Sequence, residues 1–340
     1  MKDEIIIGIE SSCDETAVAV LKNRTELLAN VVSSQIKTHM QFGGVMPEIA
    51  SRLHLENVGY TIKAALDESK INLDDISAIA VTKGPGLIGA LHVGVTAAKT
   101  MAAYLNKPLI GVHHLAGHIY ANEYVSQLKF PLLAIVVSGG NSEFVYMKDH
   151  LSFEIIGSTL DDAIGESLDK IARALGLPYP GGVAIDKLSQ VPNTPVIKYT
   201  KPHAPNYDLS YSGIKSALIR EINEKTKNAP LTEEEIKTYA KSVEHALVDQ
   251  LLDKGLKAAK DYNVKQIVLG GGVSANSYLR AEIVKRAGKD YEVIIPPLWC
   301  TTDNAAMIAK VGSYLYEKKQ FMDLSEGPVA SLDLSEDWWF

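Results

Sequence analysis

EIIIGIESSCDETAVAVL, residues 4–21, decides the fold class: an apolar run (IIIGIE), a polar tip (SSCDET) and a second apolar run (AVAVL) read as a β-hairpin. The tip is acidic and rich in hydroxyls. The same pattern returns at residues 132–147, LLAIVVSGGNSEFVYM, as a strand, a small polar turn centred on Gly139 and Gly140, and a second strand. Each hairpin has a follower. Residues 79–102, IAVTKGPGLIGALHVGVTAAKTMA, give a strand, a glycine-rich loop and a helix of small residues, and residues 266–283, QIVLGGGVSANSYLRAEI, do the same. Loop glycines let the backbone turn sharply, and a helix start beyond them offers unpaired N–H groups to an anion such as phosphate. Many strand-to-helix turns need glycine for geometry alone, so the order carries more weight than either loop. Hairpin, then glycine loop with helix, occurring twice, predicts two related α/β lobes facing each other across a cleft.

Between these units the chain predicts helices over 46–69, 114–127, 160–175, 233–261 and 303–316, with an irregular excursion at 192–211 where prolines and aromatics follow no period. The expected division is an N-terminal lobe over 1–112, joined by the helical region 305–325, and a second lobe over 113–304 with helical insertions.

A chain of 340 residues, 46% hydrophobic and 22% charged, has the composition of a soluble globular protein large enough for two packed lobes. Its apolar stretches, such as 131–137, fall far short of the ~20 residues that cross a bilayer, and no targeting signal is visible at the N-terminus. Cys13 and Cys300 lie at opposite ends of the chain, which speaks against a disulfide framework and for a reducing cytoplasm. A net charge of −7 and a pI near 5.8 exclude a protein that grips nucleic acid by overall electrostatics. RNA contact would need a local patch or a partner. The stretch with Lys198, Lys201, His203, Lys215 and Arg220, interleaved with Tyr199, Tyr207 and Tyr211, fits such a patch and fits a solvated loop equally well.

Local chemistry is sharpest in HHLAGH, residues 113–118. On a helix, His114 and His118 share one face, about 40° apart, the spacing of two imidazoles on one metal. Packing or capping explains such a pair as well until a third ligand is named, and Asp303, in CTTDNAAM at 300–307, supplies a candidate carboxylate. Two histidines and a carboxylate with open positions suit iron(II) or zinc and leave room for a substrate. A zinc peptidase needs Glu directly after the first His, where this chain has Leu115. The hairpin tip offers Glu10, Ser11, Asp14 and Glu15 for proton acceptance, metal orientation or phosphate hydration, with turn chemistry the plainer role for Ser11, Ser12 and Thr16. Glu10 ends an apolar strand, where a buried carboxylate is costly. On STLDDAIGESLDKIARALGL, residues 158–177, Asp162, Glu166 and Asp169 fall on one side of a helix, and YPGGVAID follows at 179–186 with Gly181 and Gly182. A carboxylate beside close-approach glycines is what a ribose hydroxyl needs.

Taken together, GIESSCDETAVAV (8–20), GGVMPEIASRLH (43–54), TKGPGLIGALHVG (82–94), HHLAGH, VSGGN (137–141), GESLDKIARALGLPYPGG (165–182), GGGVSAN (270–276) and CTTDNAAM resemble the TsaD/Gcp (YgjD) family nearly end to end. That family belongs to the acetate kinase, sugar kinase, Hsp70 and actin superfamily. The resemblance implies a two-lobed actin-like α/β fold with duplicated ribonuclease H-like domains. It also implies transfer of a threonylcarbamoyl group from threonylcarbamoyl-adenylate to N6 of adenine 37 of tRNA, 3′ to the anticodon, forming t6A in tRNAs that read codons starting with A. One divalent metal per subunit, Fe2+ first and Zn2+ second, is implied at His114, His118 and Asp303. Nucleotide or adenylate contacts, with ATP and Mg2+ as a further ligand pair, are implied at Val137, Ser138, Gly139, Gly140, Asn141, Asp169, Gly182, Asp186, Gly271, Gly272 and Asn276. Glu10 and Asp14 are the implied catalytic acids, Glu10 to orient the incoming base or take its proton. GGVMPEIASR looks like the bacterial or organellar branch and implies bacterial partners: a TsaB-like paralogue in a heterodimer, a TsaE-like ATPase and a TsaC/Sua-type synthase that supplies the adenylate. Asn141 and Ser142 stand where many bacterial members have His and Thr, which puts the role of that position in doubt. Two rival functions share the superfold: a small-molecule kinase or ATPase, and a non-catalytic scaffold of the TsaB type. Paired histidines argue against the first, and the histidines together with the second glycine loop argue against the second.

Overall fold

The computed structural model describes residues 3–336, 338 and 339. It divides into two compact units, residues 1–124 with 297–340, and residues 125–296.

The first unit is built on the opening hairpin. β1 (Ile5–Glu10) is buried along its whole length and pairs antiparallel with β2 (Glu15–Lys22), from Ile5 opposite Lys22 to Glu10 opposite Ala17. β3 (Glu26–Ser34) continues the meander at the sheet edge, and a short α1 (Ile36–His39) leads to α2 (Pro47–Ser69), which carries proline at its first turn. β4 (Ala78–Gly84) then runs parallel to β1, α3 (Ile88–Leu105) follows the glycine loop, and β5 (Leu109–His113) runs parallel to β4 before passing straight into α4 (His114–Tyr120). The five-stranded sheet has the order β3-β2-β1-β4-β5. Its pleat sorts the side chains: Ile5, Ile7, Ile9, Val18 and Val20 pack with Ala65 of α2 and Ala98 of α3 in one cluster.

The second unit repeats the plan. β6 (Leu132–Val137) and β7 (Ser142–Met147) form the hairpin, and β8 (Glu154–Ser158) extends it. Helices α5 (Ile164–Ala174), α6 (Gly181–Ser189), α7 (Ser212–Thr226) and α8 (Glu233–Asp261) intervene. β9 (Gln266–Gly270) then runs parallel to β6, followed by α9 (Ser277–Ala287) and β10 (Glu292–Ile294). The order β10-β9-β6-β7-β8 is that of the first sheet read backwards, so the repeat seen in the sequence is a repeat of topology. Leu133, Ile135 and Val137 anchor a core completed by α5, α7 and α8. α8 starts with a capping box, Thr232 accepting from Glu235 N–H while the Glu235 carboxylate accepts from Thr232 N–H. The chain then returns to the first unit through α10 (Leu298–Thr301) and α11 (Ala305–Glu317), where Ala305 and Ala306 pack on Ala17 and Ala19.

Helix 46–69 and helix 233–261 lie within a residue of expectation, and 192–211 holds neither helix nor strand. Four expectations shift. The helix expected over 160–175 starts only at Ile164. The helix expected over 114–127 ends at Tyr120 and gives way to a 3-10 turn over Ala121–Tyr124. YPGGVAID, read as a turn, starts α6. The units divide at 124/125 and 296/297, not at 112/113 and 304/305, because α11 packs on β1, β2, β4 and α4 and the tail is tied to the first sheet by Met322 N–H to Leu109 O (2.8 Å) and Val329 N–H to Lys83 O (2.8 Å). No helix among the described residues is long and apolar enough to cross a membrane.

Candidate functional site

β1 and β4 end side by side, so Glu10 at the end of β1 meets Thr82 near the end of β4. Glu10 is fully buried and both its oxygens are engaged: Oε1 accepts from Ser12 N–H at 2.5 Å, and Oε2 accepts from Thr82 Oγ1 at 2.6 Å and faces His114 Nδ1 at 3.0 Å. Ser12 Oγ lies 3.1 Å from the same Nδ1. His114 opens α4, whose start is capped by His113: its Nδ1 accepts from Leu115 N–H at 3.1 Å while its Nε2–H donates to Leu332 O at 3.0 Å.

One helical turn on, His118 sets its ring edge-on to His114, centroids 4.7 Å apart. Asp303, just before α11, reaches both: Oδ1 is 3.4 Å from His114 Nε2 and 3.2 Å from His118 Nε2. One ligand atom from each of the three residues lies within 4.8 Å of the others, a group that could hold a metal ion. Donors bound to one metal at about 2.1 Å stand roughly 3.0–3.4 Å apart, which matches these separations. Nδ1 of His118 is buried without a hydrogen bond among the described residues, and Nε2 is turned to Asp303 Oδ1 at 3.2 Å, the direction a ligating nitrogen would need. Glu10 behind His114 supplies the outer carboxylate that fixes a ligating imidazole's tautomer.

The charges agree. Burial works against the imidazolium of His114, but Asp303 and Glu10 overcome it and push the group up to about 9, and burial of Asp303 is outweighed by His114 and His118, which pull it down to about 2. Asp14 and Glu15 follow on the tip, both half-buried; burial with Asp303 and Asp14 pushes Glu15 up to about 10. Glu10 is fully buried with three partners on its two oxygens, so in this arrangement His114, Ser12 and Thr82 are what it meets directly.

The second unit gathers the remaining residues expected at the site. Ser138 N–H donates to Asn141 O at 2.8 Å, closing a tight turn that leaves Gly139 and Gly140 exposed with open space around them. Gly271, at φ +87°, brings its backbone against the base of that turn: a Cβ there would stand 2.3 Å from Val137 O. Gly272 faces open space. Asp169 on α5 accepts from Gly181 N–H (2.7 Å) and Gly182 N–H (3.2 Å), so the carboxylate and glycines expected to meet a ribose meet each other at the start of α6. Asp186 on α6 accepts from Ser277 Oγ (2.5 Å) and N–H (3.1 Å), with Asn276 Nδ2 at 3.4 Å.

Thr82, His113 and Glu244 were not singled out by the sequence reading. Glu244 Oε1 accepts from Asn276 Nδ2 at 2.6 Å, and its signal was a carboxylate set among the buried Ala240, Val243, Leu247 and Val248 of α8. Three further parts of the sequence reading gain detail. The first glycine loop spends two of its donors within the protein, Gly86 N–H on Ala330 O (3.1 Å) and Leu87 N–H on Ser12 O (2.8 Å). Asp162 and Glu166 of the 158–177 stripe share Lys170 (3.0 Å and 2.7 Å). The basic stretch is partly neutralised, with Lys201 on Asp253, Lys215 on Asp162, and Tyr211 buried.

Known proteins were compared with the chain. The model of the family TsaD: tRNA N6-adenosine threonylcarbamoyltransferase matches residues 26–310. A Bacillus cereus protein named tRNA N6-adenosine threonylcarbamoyltransferase is 51% identical over 98% of this chain and 97% of its own, and a Staphylococcus aureus protein of the same name is 47% identical over 98% of each. Among solved structures, HypF of T. kodakarensis covers 94% of this chain and 48% of its own at TM-score 0.64 and 15% identity. Component A of the Acidaminococcus fermentans (R)-2-hydroxyglutaryl-CoA dehydratase covers 94% of this chain and 99% of its own at TM-score 0.51 and 14% identity. Those two likenesses show the fold alone: an actin and sugar-kinase type with duplicated ribonuclease H-like sheets. With the family model matched over most of its length and relatives about half identical from end to end, the chain belongs to the tRNA N6-adenosine threonylcarbamoyltransferase family.

Proposed function

We propose that the chain transfers a threonylcarbamoyl group from threonylcarbamoyl-adenylate to N6 of adenine 37 of tRNA, forming t6A. The observation that carries this reading is the likeness, 51% over 98% of the chain, to a relative bearing that activity's name. His114, His118 and Asp303 would hold one divalent ion, Fe2+ first and Zn2+ second. An ion bound there supplies Lewis-acid charge to the acyl oxygen under attack.

The protein's own residues do the rest. Glu10 accepts a hydrogen bond from His114 Nδ1–H, so that Nε2, on the Asp303 side, is the nitrogen that would give up its proton to a bound ion. Backbone at the exposed Gly139 and Gly140 and the half-buried Gly272, each facing open space, receives the adenylate phosphate, with Val137, Ser138, Asn141 and Gly271 shaping the turns. Asp169, Gly182, Asp186 and Asn276 form the wall for the nucleoside. The adenine amine is a weak nucleophile because its lone pair is delocalised into the ring, so positioning carries much of the rate. Its nitrogen bonds to the carbamoyl carbon, the C–O bond to AMP breaks with its electrons leaving on AMP, and the amine proton passes to Asp14, since Glu10 is closed off. The partners in this reading are a TsaB-like paralogue, a TsaE-like ATPase and a TsaC/Sua-type synthase, in the cytoplasm.

The test incubates the protein and those partners with unmodified tRNA, threonine, bicarbonate and ATP, and analyses the nucleosides by mass. The product t6A is expected, and its absence with every component present overturns the reading. His114→Ala is expected to lose bound metal and transfer while keeping its far-UV spectrum; full turnover in that variant would remove the metal from the mechanism.

A further inference from the structure

We propose that Glu244 is the positioning residue of the second unit's nucleotide wall: as a neutral carboxyl it holds the Asn276 amide and the Asp186 carboxylate in one arrangement, and its ionisation releases them. The inference rests on the nucleotide role proposed for Asp186 and Asn276.

The geometry leaves little freedom. Asn276 Oδ1 accepts from Leu279 N–H at 2.8 Å as the cap of α9, so the amide cannot turn over, and its Nδ2 must face the carboxylates. That nitrogen reaches Glu244 Oε1 at 2.6 Å and Asp186 Oδ1 at 3.4 Å. Asp186 Oδ1 has two further donors in Ser277 N–H and Oγ. Glu244 is fully buried; the Ser189 hydroxyl lies beside its carboxylate but donates to Asp186 O at 2.9 Å, and Oε2 is left without a well-formed hydrogen bond among the described residues. A buried, unsatisfied carboxylate oxygen beside a second carboxylate is costly, and a proton on Oε2 turns an orphan acceptor into a donor. Burial, with Asp186 adding to it against the pull of Ser189 and Asn276, pushes Glu244 up to about 7.

Other charges around α8 are occupied elsewhere. Asp169 of α5 serves Gly181 and Gly182, Glu221 of α7 accepts from Tyr239 Oη, and Lys187 of α6 is exposed. On α9, Arg280 donates to Ser274 O and Pro296 O, and Glu282 pairs with Arg286 and Lys285. On α8 itself, His245 stacks on Tyr278 and Lys241 is half-exposed, while β6 contributes only apolar side chains. Asp186 is the charge that Glu244 answers to. Above neutrality two carboxylates compete for one amide, and the nucleotide loses its prearranged wall.

The full-length protein is titrated calorimetrically with AMP from pH 6 to 8.5, as wild type and as Glu244→Gln, whose amide keeps the neutral shape and its donor at every pH. Taking the ratio of the two affinities at each pH cancels the titration of AMP. The ratio is expected near one at pH 6, with wild type about tenfold weaker than Glu244→Gln at pH 8, the factor for a site competent only when protonated. Glu244→Ala, which lacks the bridge, is expected to be weak throughout. Parallel pH profiles in wild type and Glu244→Gln would overturn the inference and leave the nucleotide site standing. No AMP binding by either protein at any pH would overturn the nucleotide reading and the inference together.

Discussion

Glu10→Gln tests the metal centre without changing its volume. Glu10 takes three donors: Ser12 N–H at 2.5 Å, Thr82 Oγ1 at 2.6 Å and His114 Nδ1 at 3.0 Å. If the new carbonyl keeps Ser12, the new NH2 faces Thr82 and His114. Thr82 can rotate its hydroxyl to accept, but His114 can meet a donor only by giving up its Nδ1 proton. The neutral ring then carries its proton on Nε2, the atom 3.4 Å from Asp303 Oδ1, and that nitrogen can no longer ligate. If the amide turns the other way, Ser12 N–H loses its buried acceptor, at a cost of about 1–3 kcal/mol. Either route lands near the 10–100-fold loss of metal affinity usual for an outer-shell change, about 1.4–2.8 kcal/mol. The assay is Zn2+ titration of metal-free protein against a chelating indicator, with the far-UV spectrum as a control for folding. Affinity within threefold of wild type would refute the carboxylate–histidine arrangement.

Gly271→Ala is expected to cost at least ~2 kcal/mol in urea unfolding and most of the AMP affinity, because φ is +87° and the added methyl would sit 2.3 Å from Val137 O; an unchanged midpoint would contradict the close approach. His113→Ala is expected to cost roughly 1–2 kcal/mol and to weaken Zn2+ binding, since it removes the acceptor at the start of α4, while His113→Asn, a good capping residue, restores much of both. Equal losses for alanine and asparagine would dismiss the cap. For Glu244, the folded value near 7 lies above the ordinary 4.5, so between those values the folded protein holds a proton that the unfolded chain has released. Stability from this group is therefore full below about pH 4.5 and falls by roughly 3 kcal/mol as pH rises to about 7, and Glu244→Gln is expected to flatten that slope in urea unfolding measured across the range.

Much of the fold was legible because its signal is local. IIIGIE and LLAIVV are apolar at every position or nearly so, as strands buried on both faces are, and their polar tips mark the turns. β3 carried less signal, because ELLANVVSS lies at a sheet edge and is mostly half-buried, so neither alternation nor a solid apolar run stands out. Tyr-Pro-Gly-Gly was read as a turn because proline and glycine usually punctuate; here they open α6, whose first N–H groups are met by Asp169, twelve residues upstream of Gly181. At the site, spacing along α4 placed two imidazoles on one face, and the third donor, Asp303, was found by chemistry. Orientation of a metal was one of three roles legible for Glu10, and nothing local chose among them. The choice depends on the parallel pairing of β1 with β4, which sets Thr82 and His114 against the Glu10 carboxylate, and no local pattern encodes that pairing.

The duplicated topology lets the ligand classes proposed for the two units be compared place by place. The loop after β4 and the loop after β9 occupy equivalent places in their sheets, and both are glycine-rich. In the first unit the tail lies over that loop: Val329 O sits where a side chain on Gly84 would go, at 2.0 Å from its Cβ position, and Ala330 O takes the N–H of Gly86. Two donors that could have met a phosphate, Gly86 N–H and Leu87 N–H, are spent on the protein's own carbonyls. The neighbouring hairpin tip carries Glu10, held against His114, and Asp14, with Glu15 kept neutral by burial, so it offers acceptors for a cation and no cation for an anion. In the second unit the equivalent tip is Ser138, Gly139, Gly140 and Asn141, without a charge, and both Gly140 and Gly272 face open space. In the proposed reading the same backbone plan serves a cation in one unit and an anion in the other through two differences: which carboxylates sit at the hairpin tip, and whether a tail lies over the glycine loop. A histidine pair added to an open phosphate loop would compete with the nucleotide for one space. Filling the first loop removes that competition, and leaves α4 free to carry its imidazoles against Asp303.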